Sequence, residues 1–105
     1  MSNPDGEKRK PDLSLVVERM QTGVRMEKRM VKVLKALAEY LDISLGDLLE
    51  GIVLHAFAGE APFSVQTLEQ ITRLKEVYGM DYGVEASHQL REIASQQKEE
   101  KNDTV

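Results

Sequence analysis

The sequence predicts a mainly α-helical homodimer in which each chain adds one strand to an intermolecular antiparallel ribbon, with a helical extension toward the C-terminus. Three observations lead to this fold. A short segment alternates apolar and polar residues, later segments repeat apolar residues at helical spacing, and the second predicted helix is apolar around most of its surface. Strands have a period of two and helices a period of 3.6, so the patterns separate the elements.

The predicted strand covers residues 20–26. One of its faces carries Met20, Thr22, Val24 and Met26, and the other carries Gln21, Gly23 and Arg25, with Arg19 at the margin. This alternation is typical of a strand with one buried and one polar face. Residues 13–18 are also apolar, but the segment is too short for its pattern to distinguish a strand from a helix.

Four helices are predicted after the strand, over residues 27–41, 45–59, 65–78 and 84–97. The turn between the first two contains Asp42, a residue type that tolerates left-handed backbone better than most. Ser44 and Ser64 precede the second and third helices and are favourable N-caps. Gly59 is expected to end the second helix.

A dimer accounts for two features that a single chain leaves unexplained. A lone strand has unpaired backbone groups along both edges, and the same strand from a second copy is the simplest partner. The helix over 45–59 is too apolar to bury one side alone, and its own copy would cover it. The predicted dimer interface is Met20, Val24, Met26, Leu48, Ile52 and Val53. The alternative is a hairpin with residues 13–18, but residues 18–21 contain no Gly, Pro or Asn for its turn.

Charge is distributed unevenly along the 105 residues, although the net charge is −4. Residues 1–35 contain nine Lys or Arg and five acids, whereas residues 36–105 contain five Lys or Arg and thirteen acids. This asymmetry indicates that the basic first part carries the binding surface and that the rest of the chain is acidic. The chain has no cysteine, no N-terminal apolar region and no apolar run near the ~20 residues that cross a bilayer. We therefore expect no membrane partner and a cytoplasmic location.

The predicted organisation has four parts. Residues 1–12 form a disordered arm, residues 13–60 form the dimerisation domain, residues 61–97 form the helical extension, and residues 98–105 form a disordered tail. The two ends are polar and rich in charge, which disfavours a packed core.

The order of one strand, a helix, a short turn and a second helix resembles the ribbon-helix-helix family, the fold of the Arc and methionine repressors. The residues that carry the resemblance are Gly23-Val24-Arg25-Met26, Met30, Leu34, Leu37-Ala38-Glu39, Leu41, Ile43-Ser44 and Leu48-Leu49. They span about a third of the chain. The chain departs from the family pattern at Asp42, where members usually have Gly, and at Gly23, where members often have a polar residue that reads bases.

The resemblance implies a sequence-specific, double-stranded DNA-binding regulator, with the ribbon in the major groove. The implied base-contacting residues are Gln21, Gly23 and Arg25. The implied phosphate-contacting residues are Arg19, Lys28, Arg29, Ser44, Leu45 and Gly46. Arg pairs with guanine and Gln with adenine, while the start of the second helix would offer amide groups to a phosphate.

Two other functions remain open. The family includes antitoxins, and residues 61–97 would then bind a toxin protein. Alternatively, the chain is a protein-interaction dimer that does not bind DNA. A helix-turn-helix protein would place the second predicted helix in the DNA groove. This is disfavoured, because residues 36–60, which include that helix, contain no Lys or Arg. His55 and His88 have no second ligand at metal spacing, and no catalytic motif is present, so we expect no enzyme activity, metal or cofactor.

Overall fold

The computed structural model describes residues 14–93, and this part of the chain is mainly α-helical. Its elements are α1 over Lys28–Leu41, α2 over Leu45–Phe57, α3 over Val65–Tyr78 and a 3₁₀ turn over Val84–Ala86. Residues 14–27 form neither helix nor strand within the single chain. The arm predicted over 1–12 and the tail predicted over 98–105 lie outside the described residues.

The first helix begins and ends through specific backbone hydrogen bonds. The carboxylate of Glu27 accepts bonds from the amides of Arg29 and Met30, which satisfies two of the N–H groups left free at a helix start. At the other end, Asp42 adopts left-handed backbone with φ 60°. Its amide and that of Ile43 bond back to carbonyls in the last turn, at 3.1 and 3.0 Å. This is the Schellman arrangement, and it confirms the left-handed turn expected at Asp42.

Serine caps start the other two helices, as their positions in the sequence predict. Ser44 Oγ accepts a bond from the Asp47 amide at 3.0 Å. Ser64 Oγ accepts one from the Thr67 amide at 3.2 Å. Left-handed glycines follow both helices, Gly59 with φ 71° and Gly79 with φ 69°. The bounds of α3 match the prediction, and α2 ends two residues before its predicted end.

The core lies where α2 and α3 pack on α1. Leu37 of α1 is 1% exposed, and Ala38, Leu48 and Val33 are also buried. Six partly buried side chains surround this centre, namely Leu34, Leu41, Ile52, Phe63, Ile71 and Leu74. Since α3 contributes two of them, the predicted C-terminal extension is packed against the first helix of the predicted dimerisation domain.

The fourth helix predicted over 84–97 is wrong for the described residues. Only the single 3₁₀ turn Val84–Ala86 forms, and residues 87–93 are not helical. His88 has a φ of 64°, which a right-handed helix does not allow. The apolar stripe of this segment is narrow, and Val84 and Ile93 remain exposed. Burial is therefore too small to hold the segment in a helix. Residues 94–97 lie outside the described part.

None of the helices in residues 14–93 is long and apolar enough to span a lipid bilayer.

Candidate nucleic-acid interface

The segment before α1 is exposed throughout in the single chain. Residues 14–26, which we call the arm segment, have no buried member. Met20 is 84% exposed and Val24 is 74% exposed, although their positions predict an inward-facing side. Among the described residues, no backbone hydrogen bond joins residues 15–26 to one another or to the helices. Residues 15–26 thus offer apolar side chains and backbone groups that the described chain does not use.

The three predicted base-contacting residues are all exposed on this arm segment. A side chain added at Gly23 would meet nothing within 4 Å, so the space beside it is open. Arg25 is engaged, because its guanidinium forms two hydrogen bonds with the carboxylate of Glu92. Gln21 has no hydrogen-bond partner within residues 14–93.

Arg19, a predicted phosphate contact, is paired with a carboxylate on α2. Its Nε and one terminal nitrogen donate to the two oxygens of Glu50, at 3.0 and 2.9 Å. The hydrogen bonding and charge of Glu50 raise the pKa of Arg19, and the same contact lowers the pKa of Glu50. This two-pronged contact ties the arm segment to α2, and it occupies the donors with which Arg19 would bind a phosphate.

The predicted phosphate site at the start of α2 is exposed but has an acidic edge. The amides of Leu45 and Gly46 have no acceptor among the described residues, and a side chain at Gly46 would meet nothing within 4 Å. Ser44 Oγ is already committed to the Asp47 amide. Asp42, Glu39 and Lys35 line the shallow cleft that ends at Ser44 and Leu45. The free amides and the Lys35 ammonium favour a phosphate there, and the two carboxylates oppose it.

Lys28 and Arg29, the remaining predicted phosphate contacts, have different surroundings. Lys28 is exposed and has no ion-pair partner within residues 14–93. Arg29 donates to Glu27 at 3.0 Å, to the carbonyl of Gly79 at 2.9 Å and to Asp81 at 3.3 Å. Its Cζ also lies 5.6 Å from the centre of the Tyr82 ring. Arg29 therefore holds the segment after α3 against the start of α1.

Glu27 is the centre of this polar cluster. Tyr82 Oη donates to its carboxylate at 2.6 Å, in addition to the bonds from Arg29 and the capped amides. Burial disfavours ionisation of Glu27, but the hydrogen bonds from Tyr82, Arg29 and Met30 outweigh it and lower the pKa of Glu27 to about 2. Burial and the bond to Glu27 raise the pKa of Tyr82 to about 12. The cluster fixes the junction between the arm segment and α1.

Replacing Tyr82 with Phe is expected to lower the free energy of unfolding by about 1–2 kcal/mol at neutral pH, because a hydrogen bond to a charged carboxylate is lost. The folded-state pKa of Glu27 lies below its ordinary value of 4.5. Its contribution is therefore present above pH 4.5 and is lost as the pH falls toward 2. The difference between wild type and variant should shrink over that range in urea titrations.

Tyr40→Phe is the matched control, because Tyr40 is exposed and its hydroxyl has no hydrogen-bond partner among residues 14–93. It should leave unfolding unchanged at every pH. Equal effects of the two substitutions would contradict a stabilising bond between Tyr82 and Glu27.

The predicted interface residues of α2 divide into two groups. Val53 is exposed and Ile52 is half-buried, so both retain surface that a second copy could cover. Leu48 is 4% exposed within one chain, where it packs on Leu37 and Ala38. Assigning Leu48 to the dimer interface is therefore a misplacement, since almost none of its surface is left to bury.

Two residues that the predicted interface omits continue the exposed face of α2. Leu54 is largely exposed, and Phe57 is 84% exposed. With Val53 they form what we call the α2 apolar face. Their spacing of three and four residues is the helical signal that would have identified them. By contrast, no local pattern marks Tyr82 or Glu92, whose partners lie 55 and 67 residues away in sequence.

Comparison of the chain with family models, with curated proteins and with solved structures finds no match.

Proposed function

We propose that two copies of this chain pair through their arm segments and α2 apolar faces, and that the resulting two-stranded ribbon binds double-stranded DNA in the major groove. The observation that carries the proposal is the arm segment itself. Its residues 20–26 alternate apolar and polar positions in sequence, and both sets are exposed in the single chain. Such a segment needs a second strand and an apolar floor to be stable.

Pairing with a second copy of the chain supplies the second strand and the apolar floor. A two-fold axis makes the two strands antiparallel and brings Met20, Val24 and Met26 of both chains together. The exposed Leu54 and Phe57 side chains then acquire an apolar neighbour in the second α2. Exposed apolar surface of this kind is typical of an interface rather than of a monomer.

The outward side of such a ribbon would carry the residues that contact the DNA bases. Gln21 and Arg25 provide donors and acceptors for base edges, and the absence of a side chain at Gly23 lets the backbone approach the groove floor closely. Lys28 follows at the start of α1 and, with no ion pair in the described chain, is a phosphate contact in this proposal. Arg19 and Arg29 are bonded to carboxylates in the single chain, as Arg25 is, so a DNA contact by any of the three requires release of that carboxylate.

Salt titration and one substitution test the DNA proposal. For duplex fragments selected by the protein from sheared genomic DNA, the logarithm of the association constant should fall linearly with the logarithm of the salt concentration, as counterion release requires. Arg25→Ala should weaken binding to the selected fragments by about 1–3 kcal/mol if the side chain reads a base. Fluorescence anisotropy measures both effects.

Arg73→Ala is the control, because it removes the same charge from α3, where Arg73 bonds only to Gln70 among the described residues. It should change the affinity much less than Arg25→Ala. Binding that responds neither to salt nor to Arg25→Ala would contradict the proposal.

Such a result would favour the alternative, a dimer that binds proteins and not DNA. The net charge of −4 and the carboxylate partners of Arg19 and Arg25 support that reading. Its antitoxin form would use the region 61–97, where Val65, Val77 and Val84 are exposed apolar residues. Co-purification of a small protein that protects these valines from solvent would support it.

A further inference from the structure

The contact between Arg25 and Glu92 joins the two ends of the described chain. The guanidinium meets the carboxylate side-on, with Nε donating to one oxygen at 3.2 Å and a terminal nitrogen donating to the other. Both side chains lie at the surface. The contact therefore leaves the pair accessible to a competing ligand.

Two anchors bring Glu92 to this position. The segment after α3 is bonded to the start of α1 through Tyr82 and Glu27. Further along, Ala86 and Leu90 line an apolar groove of about 440 Å³ beside α1 and α3. Glu92 follows Leu90 by two residues, so the anchored segment presents its carboxylate to the arm segment.

We propose that Glu92 competes with DNA for Arg25, so that the C-terminal segment 87–93 lowers the affinity of the DNA-free protein. The inference rests on the proposed function. A guanidinium uses the same pair of N–H donors for a carboxylate, for a phosphate and for the N7 and O6 atoms of guanine. Arg25 cannot donate that pair to Glu92 and to DNA at once, and Glu92 must leave before the base contact forms.

The competition also depends on the salt concentration. An exposed ion pair weakens as ionic strength rises, because mobile ions screen it. The fraction of chains in which Glu92 occupies Arg25 therefore falls with added salt. Removing the Glu92 charge should thus raise the affinity most at low salt and progressively less at higher salt.

The test compares Glu92→Gln with wild type in anisotropy titrations against a duplex of randomised sequence. The variant should bind about two- to thirtyfold more tightly at low salt, which is the range available to two exposed ion pairs, one in each chain of a dimer. Glu69→Gln removes the same charge from the exposed surface of α3 and serves as the matched control. Its gain should be distinctly smaller.

A double variant assigns the effect to Arg25. If Glu92 acts by occupying that guanidinium, Glu92→Gln should give no more gain than Glu69→Gln in an Arg25→Ala background. If the wild type binds DNA but Glu92→Gln and Glu69→Gln raise its affinity equally, the inference about Glu92 is overturned and the DNA proposal stands. Absence of salt-dependent binding in every protein, wild type included, would overturn both.

Discussion

Replacing Leu37 with Ala is expected to destabilise the protein by about 2–5 kcal/mol, the range for removing a fully buried leucine side chain. Leu37 is 1% exposed and lies at the centre of the core, where α2 and α3 both reach α1. The lost carbon atoms leave a cavity that three helix backbones border, so the surroundings relax little. Urea unfolding followed by circular dichroism, at a fixed protein concentration, measures the loss.

Leu68→Ala on α3 makes the same chemical change at a half-exposed site. It should cost about 1 kcal/mol, in proportion to the smaller apolar area that it removes from the interior. If Leu37→Ala lowers the free energy of unfolding by less than Leu68→Ala does, α2 and α3 do not pack on α1 as described. Both variants keep the helix propensity close to that of leucine, so the comparison isolates burial.

The parts of the fold that local chemistry determines were predictable. The starts of α2 and α3 follow from Ser44 and Ser64, because caps act over three or four residues and leave a local signal. The turn at Asp42 followed from the same kind of reasoning. Each of these features depends on atoms that are near neighbours in the sequence.

The parts that depend on distant contacts were not predictable. Glu27 is an unusual N-cap, and its most distant partner is Tyr82, which reaches it only after the chain has folded back. The sequence predicts a helix over the segment 87–93, but of its few apolar residues Leu90 lines the groove beside α1 and Ile93 stays exposed. Arg25 and Glu92 meet for the same reason, since the segment is anchored from α3 onward.

In the proposed dimer the arm segment pairs with a second chain, and one pair of substitutions tests this pairing. In an antiparallel ribbon, Val24 faces the apolar floor and Gly23 faces outward, because successive side chains alternate. Val24→Lys should raise the dimer dissociation constant by a factor on the order of 10²–10⁴, since each dimer loses two buried valines worth about 1.5–3 kcal/mol each.

Gly23→Lys adds the same charge one residue away, on the side where an added side chain meets nothing within 4 Å. It should leave the dimer intact, and its positive charge should not weaken attraction to DNA phosphates. In a monomer the two substitutions would be equivalent, because both positions are exposed in the single chain. Sedimentation equilibrium therefore separates the two cases. If only Val24→Lys dissociates the dimer, the segment has the period-two register of a paired strand. If both variants have the same dissociation constant, the ribbon is contradicted, and so is the DNA proposal that depends on it.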